Sequence, residues 1–277
     1  MVTWRKVTPV LLAVATALIT LVWVFPIYWG LITSIKSLPE IMSATPTFYP
    51  RTFTLENYAA VLFGSKYVLY LRNSLSVASM VVALTLIIGA TTAFALARLR
   101  FPGREWIGLL ILFVYLFPGI LLIVPLYQIM VRLGLYNTLV GIALTHILFT
   151  LPFSVWYLRV FFASIPAELD ELAQIEGASR LHVLGRVYLP LSLPALAVVA
   201  IFAFVVSWNE YMFALILVAD DSLYTLSVGI AAWVHHYTVD WGQLMSAAML
   251  TIVPSLIFFG VLGGFFVRGL AEGAVKG

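Results

Sequence analysis

The chain has 277 residues, 63% of them hydrophobic and only 10% charged, and its mean hydropathy is +1.07. Soluble domains carry about a quarter charged residues, so this composition excludes an ordinary soluble fold and defines an integral membrane protein. The net charge of +3 is scattered singly between apolar runs, with no basic stripe of the kind that binds nucleic acid, and the absence of cysteine excludes a disulfide framework and a thiolate metal site.

Six apolar runs are long enough to cross a bilayer, because about 20 residues at about 1.5 Å each span the hydrocarbon core. They cover residues 9–32, 73–97, 106–130, 138–162, 191–218 and 243–267. The fold class read from them is all-α: an integral membrane bundle of six transmembrane helices forming one domain over residues 1–277. The first run follows Arg5 and Lys6 and exceeds the apolar core of about 7–15 residues found in a signal peptide, so it reads as an uncleaved anchor. Pro118, Gly119, Pro125, Pro152 and Pro254 fall inside runs and predict kinked helices, since packed neighbours can satisfy the freed backbone groups.

Orientation follows from the distribution of Lys and Arg, which is richer in cytoplasmic connections. With the N-terminus inside, the inner segments hold ten: Arg5, Lys6, Arg98, Arg100, Arg104, Arg159, Arg180, Arg186, Arg268 and Lys276. The outer segments hold five: Lys36, Arg51, Lys66, Arg72 and Arg132. Both termini are therefore expected in the cytoplasm. The first outer loop, about 34–72, is too polar and proline-rich to span and reads as a short surface helix or an extended cover. The last, about 219–241, includes Asp220, Asp221, Trp233, His235, His236, Tyr237 and Asp240. It reads either as an aromatic lid at headgroup level or as a contact for a ligand or partner.

Between the fourth and fifth runs lies the charged island PAELDELAQIEGASRLHVLGRVYLPLSLP, residues 166–194, which holds four of the twelve acidic residues. Pro166 suits the first position of a helix, and Glu168, Asp170 and Glu171 then sit near the positive end of its dipole. Leu169, Leu172, Ala173 and Glu176 recur at helical spacing, Gly177 can take the left-handed conformation that stops a helix, and Ser179 can cap a second one carrying Leu181, Leu184 and Val187. The island is thus a helix, a glycine turn and a helix at the membrane surface, joined covalently to the fifth run. It serves either as an amphipathic cover for the inner face or as a lever that a cytoplasmic partner grips.

The same residues resemble a signature. The EAA motif of binding-protein-dependent ABC importer permeases reads E-A-A, three residues, G, nine residues, I-x-L-P. Glu171, Ala173, Gly177, Leu189 and Pro190 match it at the required spacing, with Leu172 in place of the middle alanine and Val187 in place of isoleucine. SWNEYMFAL at 207–215 and FFVRGLAEGAVKG at 265–277 look like the corresponding stretches of MalG-type permeases of the carbohydrate-uptake family, so the resemblance extends over nearly the whole chain. It implies a transport subunit and not an enzyme, placed in a bacterial or archaeal inner membrane, with residues 166–190 as a coupling loop that docks an ATPase. The implied partners are a second homologous permease, two copies of a cytoplasmic ATPase subunit that carry ATP and Mg, and an extracytoplasmic solute-binding protein. No cofactor, metal or catalytic residue is expected on this chain. By the same resemblance the tail ending at Gly277 reaches the ATPase pair, and Trp233, His235, His236 and Tyr237 contact the binding protein.

No G-x-x-x-x-G-K-[ST] cradle for phosphate is present, in keeping with ATP hydrolysis elsewhere. Glu210 is an ionisable residue in a span and therefore a functional candidate. It stands about 30 Å along a helix from Pro190, near the far interface, where it is either a solvated acid or part of a gate or pathway. Trp208 and Asn209 add a stacking face and a hydrogen-bonding amide suited to sugars. His146 in the fourth run reads as a packing residue. A stand-alone ion-coupled carrier is the alternative, but it calls for ionisable groups near mid-span. An intramembrane enzyme is disfavoured because no H-E-x-x-H and no convincing pair of catalytic carboxylates occurs within the spans.

Overall fold

The computed structural model describes residues 4–234 and 239–274, and among them it is helical, with one isolated β-bridge between Lys36 and Phe53 and no strand. In chain order the α-helices are α1 (Trp4–Ser34), α2 (Leu38–Ile41), α3 (Glu56–Gly64), α4 (Tyr67–Arg98), α5 (Arg104–Tyr115), α6 (Ile123–Arg132), α7 (Leu139–Ser164), α8 (Glu168–Ile175), α9 (Arg180–Val183), α10 (Leu189–Leu191), α11 (Leu193–Asn209), α12 (Met212–Leu217), α13 (Leu226–Val234) and α14 (Trp241–Ala274). Among the described residues, four stretches are long and apolar enough to cross a membrane unaided: Leu11–Ser34, Tyr67–Arg98, Leu139–Ser164 and Trp241–Phe265.

The expected third and fifth runs are not continuous helices. The third breaks into α5 and a second arm, Gly119–Arg132, set at 95° to each other. Pro118 is extended there, with ψ of 115°, and the chain restarts in a 3₁₀ turn at Gly119–Leu122. A proline lacks the N–H that would continue the ladder and restrains the residue before it, so the break sits where the sequence removes a donor. Pro152 and Pro254, by contrast, stay inside α7 and α14. The fifth run turns an 84° corner before α11 and breaks again at Glu210, which is extended.

Two compact units make up the chain, one of residues 1–68 with 230–253 and the other of residues 69–229 with 254–277. In the first, the side chains of α1 from Leu11 onward face outward as far as Tyr28 and become buried only near its end. Ser34 gathers the neighbouring pieces there: its carbonyl accepts from Asn57 at 3.0 Å and from Ser246 at 3.2 Å. The connection after α1 is a structured cover, as its polar, proline-rich sequence suggests. Glu40 ties it together, accepting from the Thr47 hydroxyl at 2.6 Å and from the backbone N–H groups of Arg51 and Thr52. Lys36 is buried, donates to the Thr47 carbonyl and lies over the Trp29 ring.

In the second unit α7 is the central element. It buries apolar residues on two levels, one around Val77, Val81, Ile142, Ile147, Ala203 and Leu217, the other around Phe94, Leu158, Phe162, Val183, Tyr188 and Val199. Thr85 and Thr150 hydrogen-bond at 2.7 Å in the interior, which satisfies both hydroxyls between α4 and α7. The segment after Val218, expected as a loop, contains a 3₁₀ turn at Asp221–Leu223 and α13. Its run LSVGIAAWV is apolar enough to bury Leu226, Val228 and Gly229.

The hydrogen bonds from Thr47, Arg51 and Thr52 hold the Glu40 carboxyl below the usual carboxylate range. A depressed folded-state pKa means that the stabilising effect is present above the unfolded value and is lost as pH falls through the folded one. Limited proteolysis of the 36–53 segment should therefore be unchanged between about pH 6 and 8 and rise below about pH 4, while Glu40→Gln should be cleaved faster at neutral pH.

Candidate functional site

The island forms the helix, turn and helix expected of it. α8 begins at Glu168, two residues after Pro166, with the Ala167 carbonyl accepting from Asp170 and Glu171 N–H groups. It closes with Gly177 at φ +77° and an Ala178 N–H to Ala173 carbonyl bond of 2.9 Å, the left-handed stop that glycine makes without steric cost. Ser179 caps α9, its hydroxyl accepting from the His182 N–H at 3.3 Å.

Two faces separate cleanly. Leu169 and Ala173 pack inward against the lower core with Ala178, Val187 and Leu189, while Asp170 is buried. Glu171, Leu172, Ile175, Glu176, Gly177 and Leu181 face outward; Ile175 is 83% and Leu181 75% exposed. Of the five signature residues, then, Glu171, Gly177 and Pro190 are exposed, and Ala173 and Leu189 are half-buried and hold the turn down. A Cβ added at Gly177 would meet nothing within 4 Å, so a side chain there would project into open space, although its backbone conformation would be strained.

Behind the turn lies a set of residues that the sequence did not reveal. Arg98, the last residue of α4, donates to the carbonyls of Phe162 at 2.8 Å and of Ile165, thereby satisfying the orphan end of α7. Its Nε lies 3.8 Å from the Asp170 carboxylate, and the guanidinium lies 5.2 Å from the centre of the Tyr188 ring. Tyr188 is fully buried, edge-on to Phe94 and Phe162, and ends the π-helical turn Leu184–Tyr188. Arg98 served only as an orientation charge in the sequence, and Tyr188 sat unmarked between two signature positions.

The other expected cluster forms around the break at Glu210. Trp208 is buried and stacks on Phe204, and the exposed Asn209 donates to its own helix at the Val205 carbonyl. Glu210 is not a solvated acid: its side chain is 13% exposed and bonds Nε2 of the fully buried His146 at 2.9 Å. It also accepts from the Phe213 and Ala214 N–H groups, capping α12, while His146 Nδ1 meets Ser207 at 3.0 Å. His146 is thus more than a packing residue. Trp233 is half-buried in α13; His235, His236 and Tyr237 lie outside the described residues. Among the described residues no group of three or more His, Asp or Glu is placed to hold a metal ion.

Several apolar helices and two bent pairs define a multi-pass helical membrane protein, with an exposed helix–glycine–helix turn between α7 and α11. The family model described as "Binding-protein-dependent transport system inner membrane component" matches residues 85–272. The chain is 39% identical over 265 residues to the inner membrane ABC transporter permease protein YcjP of Escherichia coli, covering 94% of each. It is 35% identical over 271 residues to the trehalose/maltose transport system permease protein MalG of Thermococcus litoralis, covering 97% of each. A crystal structure of a bacterial ABC transporter involved in import of the acidic polysaccharide alginate has the same fold, with a TM-score of 0.85 at 24% identity over 96% of this chain and 99% of that one. This chain belongs to the family of binding-protein-dependent transport system inner membrane components. It is a permease subunit of an ABC importer, a transport subunit and not an enzyme.

The Glu210 cluster has a measurable consequence. Glu210→Ala leaves His146 and two N–H groups without their acceptor and should cost about 3 kcal/mol, as for removing one partner of a buried pair. Glu210→Gln keeps a carbonyl oxygen and should cost less. Thermal unfolding of the detergent-solubilised protein should rank native above Gln above Ala.

Proposed function

We propose that this chain is half of the translocation pathway of an ATP-driven importer for a disaccharide, oligosaccharide or related polyol, and that residues 166–190 are the coupling loop through which an ATPase drives it. In this reading residues 1–277 are one permease domain of six spans, the bent pair Arg104–Arg132 counting as span three and α11 with α12 as span five, with both termini in the cytoplasm of a bacterial or archaeal cell. A second homologous permease completes the pathway, two ATPase subunits carry ATP and Mg, and a solute-binding protein delivers sugar from outside. The sugar class rests on the relative named for trehalose and maltose, together with the carbohydrate-family stretches of the sequence.

The observation that carries the docking assignment is the division of α8 and α9 into a buried face and an exposed one, with an exposed glycine turn between them. A signature written only for packing would not leave Glu171 and Gly177 outward, nor Leu172, Ile175 and Leu181 exposed beside them. Exposed apolar side chains rimmed by charge suit a protein partner. Glu171 then supplies a polar contact, and Gly177 lets the partner's surface approach the backbone. The break at Glu210, fixed by His146, supplies a gate element at the opposite end of α11, with Asn209 exposed beside it. Trp233, His235, His236 and Tyr237 are assigned to the binding-protein contact.

A stand-alone ion-coupled carrier gains nothing from the His146–Glu210 pair, because the two groups are already bonded to each other, Glu210 also to the helix it caps and His146 also to Ser207. Gly177→Trp should leave the permease inserted and folded but lower ATPase co-purification and ATP-driven uptake at least about tenfold, as loss of a central contact does. The isolated chain should hydrolyse no ATP. Normal uptake in Gly177→Trp, or gradient-driven uptake by this chain alone, would contradict the assignment.

A further inference from the structure

The covalent route from the coupling loop into the membrane is not a straight rod. Residues Arg180–Leu191 and α11 meet at 84°, and the segment just before the corner is a π-helical turn, the kind of irregularity that marks functional hinges. A push on the glycine turn transmitted through the chain alone would flex that corner. The coupling loop therefore needs a second attachment to the bundle.

The geometry points to Arg98, paired with Asp170, as the joint that transmits movement of α8 to the spans. One guanidinium joins three elements at once: its own helix α4, the end of α7 through the Phe162 and Ile165 carbonyls, and, through the Tyr188 ring, the Arg180–Leu191 arm that leads to α11. Asp170 is the one acidic residue of α8 that is buried, with side-chain exposure of 12% against 11% for Arg98. It lies beside both the guanidinium and the Tyr188 hydroxyl. Its neighbour Glu171, the signature acid, points the other way. Two adjacent carboxylates thus divide the work: Glu171 faces the partner and Asp170 faces the bundle.

The joint also has slack. Arg98 Nε–H is buried without a hydrogen-bond acceptor, and the Asp170 oxygen stands at 3.8 Å, beyond hydrogen-bond length. A shift of α8 by about 1 Å closes that gap to the 2.7–2.9 Å of a charge-assisted bond, so docking at the exposed face and pairing at the buried face reinforce one another. Arginine suits this post because its planar fork reaches two carbonyls and a carboxylate together, which the single ammonium of lysine cannot do in the same geometry. Arg98 and Asp170 are positioning residues; neither contacts solute nor nucleotide.

This rests on the docking reading above, and the test separates the two. The chain has no native cysteine, so spin labels can be placed through Leu75→Cys and Val140→Cys, exposed positions near the starts of α4 and α7 and remote from Arg98. In the reconstituted complex, trapping with ATP and vanadate should change the distance between the labels. Asp170→Asn, nearly isosteric, should retain the ATPase subunit and its basal hydrolysis within about twofold while reducing that change by at least half, and Arg98→Lys should fall between Arg98→Gln and native. A full distance change in Asp170→Asn and Arg98→Gln would overturn the joint. So would a loss that tracks the amount of ATPase bound, since that is docking or folding and not transmission. A native complex that retains no ATPase would overturn the docking reading and the joint with it.

Discussion

Burying a guanidinium is costly unless it is paired, and Arg98 gathers two carbonyls, an aromatic face and a carboxylate 3.8 Å away around it. These contacts tie the ends of α4 and α7 and the Leu184–Tyr188 turn to α8, because moving any one of them exposes the cation or strips a carbonyl of its donor. The lower core then follows. Phe94 and Phe162 close edge-on around Tyr188, and Leu169 and Ala173 of α8 fill the remaining side. The outward face of the same short helix, Glu171, Leu172 and Ile175, is left exposed.

The upper end of the second unit is organised by a parallel constraint with different chemistry. Glu210 interrupts α11, turns extended, and caps the helix that resumes with its own carboxylate, while His146 anchors that carboxylate to α7. A break in a membrane helix leaves polar backbone groups that lipid cannot satisfy, so the carboxylate and imidazole stand in for water. The second unit thus carries two polar fixings: a cation-centred one behind α8 and an acid-centred one at the break before α12.

Much of this was legible in the sequence for definite reasons. The glycine stop and the Ser179 cap are local properties and appear where the residues place them, as do four of the apolar runs, whereas the third and fifth runs are broken. Long-range partnerships were not legible, because pairing between residues tens of positions apart leaves no periodic trace. Yet depth arithmetic held a clue. His146 lies about 27 Å from the inner end of its span and Glu210 about 26 Å from the start of α11, so two ionisable groups at one depth could have been matched. The 95° bend at Pro118 was legible as a proline but not as a corner, since Pro152 and Pro254 sit in helices that continue. What decides between kink and break is the packing around each proline, and that belongs to the tertiary fold.

The central claim is that force enters this permease at the outward face of α8 and its glycine turn. Ile175→Cys places a thiol on that face, at a position 83% exposed in a chain with no other cysteine. Site-specific cross-linking in the assembled complex should join it to the ATPase subunit, with a yield that changes when ATP is bound. An assembled, transporting complex in which Ile175→Cys never cross-links to the ATPase would contradict the account.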